Sequence, residues 1–118
     1  KIQSMNYLLQ FMSVIKLVTT LPISMKEFEV GEWAHALLSE KIVACIQIEK
    51  IRSMFSWEDK INSEEEWRIT LTTKLSVIHQ IIQAIHATHP YDVPQIVWHA
   101  VNSDQNYNNW INGVITNE

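Results

Sequence analysis

An α+β fold built on a single antiparallel sheet is what three features of this sequence predict. The apolar period switches in the order strand, helix, strand, strand, helix, strand, helix. The two central strands are joined by a polar stretch too short for a crossover. The 118 residues leave room for one compact domain and little else.

Each element has its own signal. Val14 to Thr20 is short, β-branched and stops before Pro22, as a strand does. Ser24 stands three residues before Glu27, the spacing of a capping box. Val30, Trp33, Ala34, Leu37 and Leu38 then follow as the stripe of an amphipathic helix. From Ile42 the period returns to two, with Ala44, Ile46 and Ile48 on one face and Cys45, Gln47 and Glu49 on the other. The apolar phase slips near Lys50-Ile51, which predicts a bulge or strong bend before Ser53, Phe55 and Trp57. Residues 58–65 are polar and read as the hairpin turn, after which Trp67, Ile69 and Leu71 alternate with Arg68, Thr70 and Thr72. Ser76 is the expected N-cap of a second helix carrying Ile78, Ile81, Ile82 and Ile85. Residues 96–101 form the last strand. Asp104 caps a closing helix with Tyr107, Trp110, Ile111 and Val114 at helical spacing.

Two β-α-β halves joined by a hairpin make the ferredoxin-like β-α-β-β-α-β arrangement, here with an added C-terminal helix. Right-handed crossovers place both main helices on one face of a four-stranded antiparallel sheet. The other face stays uncovered within one chain. The long hairpin, with Cys45 and Trp57, is more apolar than a solvated edge, so strand-mediated oligomerisation is expected.

Composition excludes several classes. A hydrophobic share of 47% and a charged share of 19% mark a globular chain, not a disordered one. The net charge of −4, with Lys and Arg scattered, disfavours nucleic acid as a partner. No apolar run approaches the roughly 20 residues that span a bilayer, so no membrane partner is expected. The one Cys permits no intramolecular disulfide and suits a reducing, cytoplasmic setting. Glycine-rich phosphate loops are excluded, since Gly31 and Gly113 are the only glycines. No nucleophile stands at a recognised spacing from a base, so an enzyme is not expected. Residues 1–13, where Met5 and Met12 each offer a start, read as an N-terminal extension or expression remnant preceding a 14–118 domain.

Five segments stand out: Thr19-Thr20-Leu21-Pro22, Leu38 to Ile46, Ser53 to Ile61, His89-Pro90-Tyr91-Asp92-Val93-Pro94, and Tyr107 with Trp110-Ile111. Together they resemble the CutA divalent-cation tolerance family. They stand in register over residues 14 to 115, and five in order are specific where each alone is weak. The resemblance implies a ferredoxin-like homotrimer in which neighbouring strands extend one another's sheets. It also implies a role in the response to divalent ions such as copper, and a small-ligand pocket between subunits. There are departures: Phe55 replaces a tyrosine, Asp59 a turn glycine, Thr72 a lysine, Gln95 a glutamate, and Thr19 a cysteine found in some members.

Candidate site residues follow from chemistry as well as from that likeness. His89, in a turn before Pro90, reads either as a metal ligand through a neutral imidazole nitrogen or as a turn histidine fixed by hydrogen bonds. Cys45 is the one thiolate candidate for a divalent cation such as copper, or a small core or interface residue. Phe55 and Trp57, with His89 and Tyr91, are expected at an interface or pocket. His79 and His86 lie two helical turns apart, too far to chelate one ion, while His35 and His99 read as solvated or rim positions. Glu64-Glu65-Glu66 is a solvated hairpin end whose side chains alternate between faces. No catalytic residue is assigned.

Overall fold

The computed structural model describes residues 14–118; the expected N-terminal extension, residues 1–13, lies outside the described residues. The elements are β1 (Val14–Pro22), α1 (Glu27–Ser39), β2 (Cys45–Trp57), β3 (Lys60–Lys74), α2 (Ile78–Thr88), β4 (Val97–Val101) and α3 (Gln105–Val114). One 3-10 turn, Leu75–Val77, leads into α2. The sheet order is β2-β3-β1-β4 with every neighbouring pair antiparallel. This is the ferredoxin-like order that the element sequence predicts.

The core lies between one face of this sheet and the helices. Side chains alternate across a strand, so Ile15, Leu17, Thr19 and Leu21 of β1 share a face with Ile69 and Leu71 of β3 by register. These six are buried, and the apolar ones pack in one cluster with Val30 and Leu37 of α1, Ile81 and Ile85 of α2, and Ile111 of α3. Each fully buried Leu or Ile contributes about 1.5–3 kcal/mol of transfer free energy. The opposite face carries Thr20, Thr70, Thr72, Cys45, Gln47 and His99. There Lys16 Nζ donates to Thr72 Oγ1 at 2.6 Å. Among the described residues no helix is long and apolar enough to cross a membrane.

Four local expectations require correction. The capping box sits two residues later than Ser24 and Glu27: α1 begins after Lys26, whose N–H donates to Glu29 Oε1 at 2.8 Å. Ser24 is consumed by a turn closed by Met25 N–H on the Pro22 carbonyl at 3.0 Å. Ser76 does not cap α2, because the 3-10 turn intervenes and its hydroxyl donates to Glu118 Oε2 at 3.2 Å. The phase slip at Lys50-Ile51 marks no bulge, since β2 and β3 pair without a break from Cys45↔Thr72 to Trp57↔Lys60. The ribbon simply runs past the helices there, so nothing holds apolar residues to the earlier face.

The fourth correction concerns the turn. It is not residues 58–65 but Glu58-Asp59 alone, at φ 52° and 60°, with β3 already under way at Lys60. Two consecutive left-handed residues make the I′ geometry that matches the twist of a hairpin. The tip is solvated on both sides, with Ile61 81% exposed, so no alternation betrays the strand. Asp104, by contrast, caps α3 as expected, Oδ1 accepting from Tyr107 N–H at 3.0 Å.

Thr19 Oγ1 is buried in the core without a hydrogen-bond partner among the described residues. A hydroxyl in that state costs about 1–3 kcal/mol. Thr19→Val is therefore expected to raise stability by about 1 kcal/mol, read as a higher denaturant midpoint with an unchanged slope. A lower midpoint contradicts the assignment.

Candidate functional site

Helix α2 ends because His89 leaves helical geometry, at φ −79° and ψ 135°, and Pro90 follows. Its N–H still closes the helix on the Ile85 carbonyl at 2.8 Å. Trp33 Nε1 of α1 donates to Thr88 Oγ1 at 3.0 Å, tying the two helices together at this end. The His89 ring then makes two bonds of opposite polarity. Nε2 bonds the Thr20 carbonyl at the end of β1, and Nδ1 accepts from Tyr91 N–H at 3.1 Å. A carbonyl can only accept and an amide N–H can only donate, so the ring is the neutral Nε2–H tautomer.

Burial pulls the His89 pKa below its ordinary 6.5; the bond to Thr20 and the charge of Glu66 oppose the shift, and His86 adds to it. An imidazolium would also turn an N–H toward Tyr91 N–H. The ring therefore pins the segment after α2 to β1, and Tyr91 is placed as a consequence. The two rings lie 5.0 Å apart between centroids, and the Tyr91 hydroxyl donates to Glu66 Oε2 at 3.2 Å. Burial first, then the Glu66 charge and that hydrogen bond, then Glu64, push the Tyr91 phenol up to about 12.

A groove of about 710 Å³ opens between the β2–β3 ribbon and residues 90–95. Phe55, Trp57, Glu64, Glu66, Tyr91 and Asp92 are among its lining residues. Glu66 is 8% exposed although it carries a carboxylate. It stands opposite Pro22 in β1 and Ile51 in β2. A smaller hollow of about 460 Å³ lies beside it, lined in part by Arg52, Glu65 and Tyr91. Arg52 pairs with Glu65 at 3.5 Å, on the face away from Glu64 and Glu66.

Phe55, Trp57 and Tyr91 thus meet at one groove, with the His89 ring behind it. Cys45 lies elsewhere. It is opposite Thr72, which pairs with Lys16, four residues before Thr20 on β1 and so roughly 13 Å along the strand. His35, His79, His86 and His99 are exposed on α1, α2 and β4. Position 19 faces the core, not the groove. Among the described residues no three His, Cys, Asp or Glu side chains converge to hold a metal ion.

Sequence reasoning missed Glu66, Glu64 and Asp92 as groove residues. The signal for Glu66 was present: it directly precedes Trp67, whose buried alternation with Ile69 and Leu71 puts residue 66 on the opposite sheet face.

A sequence model described as "CutA1 divalent ion tolerance protein" matches residues 17–114, and the chain belongs to that family. Among its relatives, "Protein CutA, chloroplastic" of Arabidopsis thaliana is 32% identical over 65 residues, 54% of this chain and 36% of that protein. The chain thus spans well under two thirds of that relative's length. "Divalent-cation tolerance protein CutA" of Pyrococcus horikoshii is 32% identical over 76 residues, covering 64% of this chain and 74% of the other. The crystal structure of divalent ion tolerance protein CutA1 from Ehrlichia chaffeensis superposes with a TM-score of 0.79 at 29% identity, over 88% of this chain and 96% of that one. The chain accordingly has the fold predicted from its periodicity.

The His89 shift has a definite sign in stability. Its folded pKa is lowered from 6.5, so the native state resists protonation and stability falls as pH drops below about 6.5 toward the folded value. Denaturant midpoints measured from about pH 8 to 5 should decline more steeply in the wild type than in His89→Ala. Parallel profiles contradict this account of the ring.

Proposed function

We propose that this chain acts by binding rather than catalysis, as a cytoplasmic homotrimer that takes part in the response to divalent ions such as copper. The observation that carries the assembly is the ribbon. Beyond Lys50 it leaves the helix layer and presents Met54, Phe55, Trp57 and Ile61, 71%, 39%, 58% and 81% exposed. At the other edge of the sheet, β4 leaves Val97 and Trp98 exposed. Long apolar edges of this kind draw another strand. The number three is what the family resemblance supplies. The acidic net charge favours neither nucleic acid nor an anionic membrane surface.

For the ion, the donors of one chain fit poorly. Both His89 nitrogens are engaged, Cys45 lies down the strand, and no three ligands converge among the described residues. Copper held by His89 or Cys45 therefore needs donors from a neighbouring subunit. A second reading is favoured by the groove itself: a trimeric small-ligand sensor with no physiological metal, since about 710 Å³ lies in the range of small-molecule sites.

Light scattering should give three times the 13.8 kDa chain mass, about 41 kDa; a monomer at micromolar concentration overturns the assembly. Copper titration of wild type, His89→Ala and Cys45→Ala should show affinity falling at least about tenfold in a ligand variant. Equal affinities remove both residues and leave the second reading.

A further inference from the structure

The groove has a chemical bias that the ion role does not use, although two of its rings, Phe55 and Trp57, also belong to the ribbon proposed for assembly. Three carboxylates, Glu64, Glu66 and Asp92, line it together with three aromatic rings, Phe55, Trp57 and Tyr91, and no Lys, Arg or His is among its lining residues. Glu66 is more than nine-tenths buried, and a carboxylate at that depth ordinarily has a cation beside it. Among the described residues its side chain takes one hydrogen bond, from the neutral Tyr91 hydroxyl. The ion pairs among those residues are Arg52–Glu65, Arg68–Glu49 and Lys74–Glu118, none of which involves a groove carboxylate. The strand alternation that sends Glu65 to Arg52 leaves Glu64 and Glu66 together on the groove side. The Tyr91 phenol is raised first by burial and then by the charge of Glu66.

A bare metal ion is a poor match for this arrangement. The carboxylates do not converge within coordination reach, and the space is far larger than one ion. A bulky cation suits it better, because aromatic faces attract a diffuse positive charge and carry its alkyl groups, while the buried carboxylate of Glu66 and the exposed ones of Glu64 and Asp92 supply the counter-charge. We propose that the groove binds an organic ammonium ion, with its charged nitrogen toward Glu66, Glu64 and Asp92 and its alkyl groups against Trp57 and Phe55. The proposal rests on the small-ligand reading above and names its ligand class.

Choline and its neutral isostere 3,3-dimethylbutanol are the probes, titrated calorimetrically into the full-length assembled protein. Choline is expected to bind saturably and the isostere at least about tenfold more weakly. Glu66→Gln keeps an acceptor for Tyr91 and should weaken choline about tenfold. Asp92→Asn, at an exposed position, should weaken it about threefold without touching the fold. Absence of saturable choline binding, equal binding of the isostere, or wild-type affinity in both variants overturns the proposal. Molecular mass and copper titration are read on the same samples. A trimer that ignores both copper and choline overturns this inference and leaves the small-ligand reading; one that titrates copper but ignores choline overturns both, and a choline-binding monomer overturns the assembly and leaves this inference standing.

Discussion

The site depends on one imidazole. His89 joins the end of helix α2 to the last residues of β1 through Thr20, and it orients Tyr91 through the amide N–H two residues on. Without that staple, the residues after α2 would have only Pro90 and Pro94 to stiffen them. With it, Tyr91 is set against Glu66, and residues 90–95 become one wall of a groove whose other wall is the hairpin ribbon. The bond pattern works only for a neutral ring in one tautomer. A protonation event at position 89 is thus a structural event at the groove.

The ribbon supplies the other half of the geometry. Unbroken pairing of β2 with β3 out to Trp57↔Lys60 projects two strands beyond the helices, and a two-residue turn with φ of 52° and 60° closes it. The same extension that leaves apolar side chains without cover also carries Phe55 and Trp57 to the groove. The proposed assembly and the proposed ligand capture therefore draw on the same strands, and a substitution at Trp57 should affect both. The buried six-residue face of β1 and β3 under the helices fixes where both walls begin.

Much of this was legible in the sequence, for a physical reason. Elements with one buried face carry a period, so β1, both long helices and the core half of β3 could be read from their apolar spacing. Asp104 could be read because a cap must supply an acceptor at a fixed offset. The tip of the ribbon could not, because both of its faces are solvated and Lys60 to Glu65 carries no alternation. Ser24 and Ser76 misled because a hydroxyl at capping distance says nothing about a turn that takes it first. At the site, His89 and Tyr91 were legible from the Pro-bracketed segment and its family likeness. Glu66 was hidden inside an acidic run, and only its place next to Trp67 distinguished it from a solvated neighbour. That His89 Nε2 faces the Thr20 carbonyl depends on a contact between residues 69 apart in the chain, which no local spacing encodes.

The most direct test of this account is the tautomer of His89 near neutral pH, read from side-chain nitrogen and proton correlations by NMR in uniformly labelled protein, with His89→Gln to assign the signal. The account predicts a neutral ring protonated at Nε2 alone, in slow exchange with water. A ring protonated at Nδ1, an imidazolium, or a rapidly averaging mixture would mean that the staple is not made, and the groove built on it would have to be redrawn.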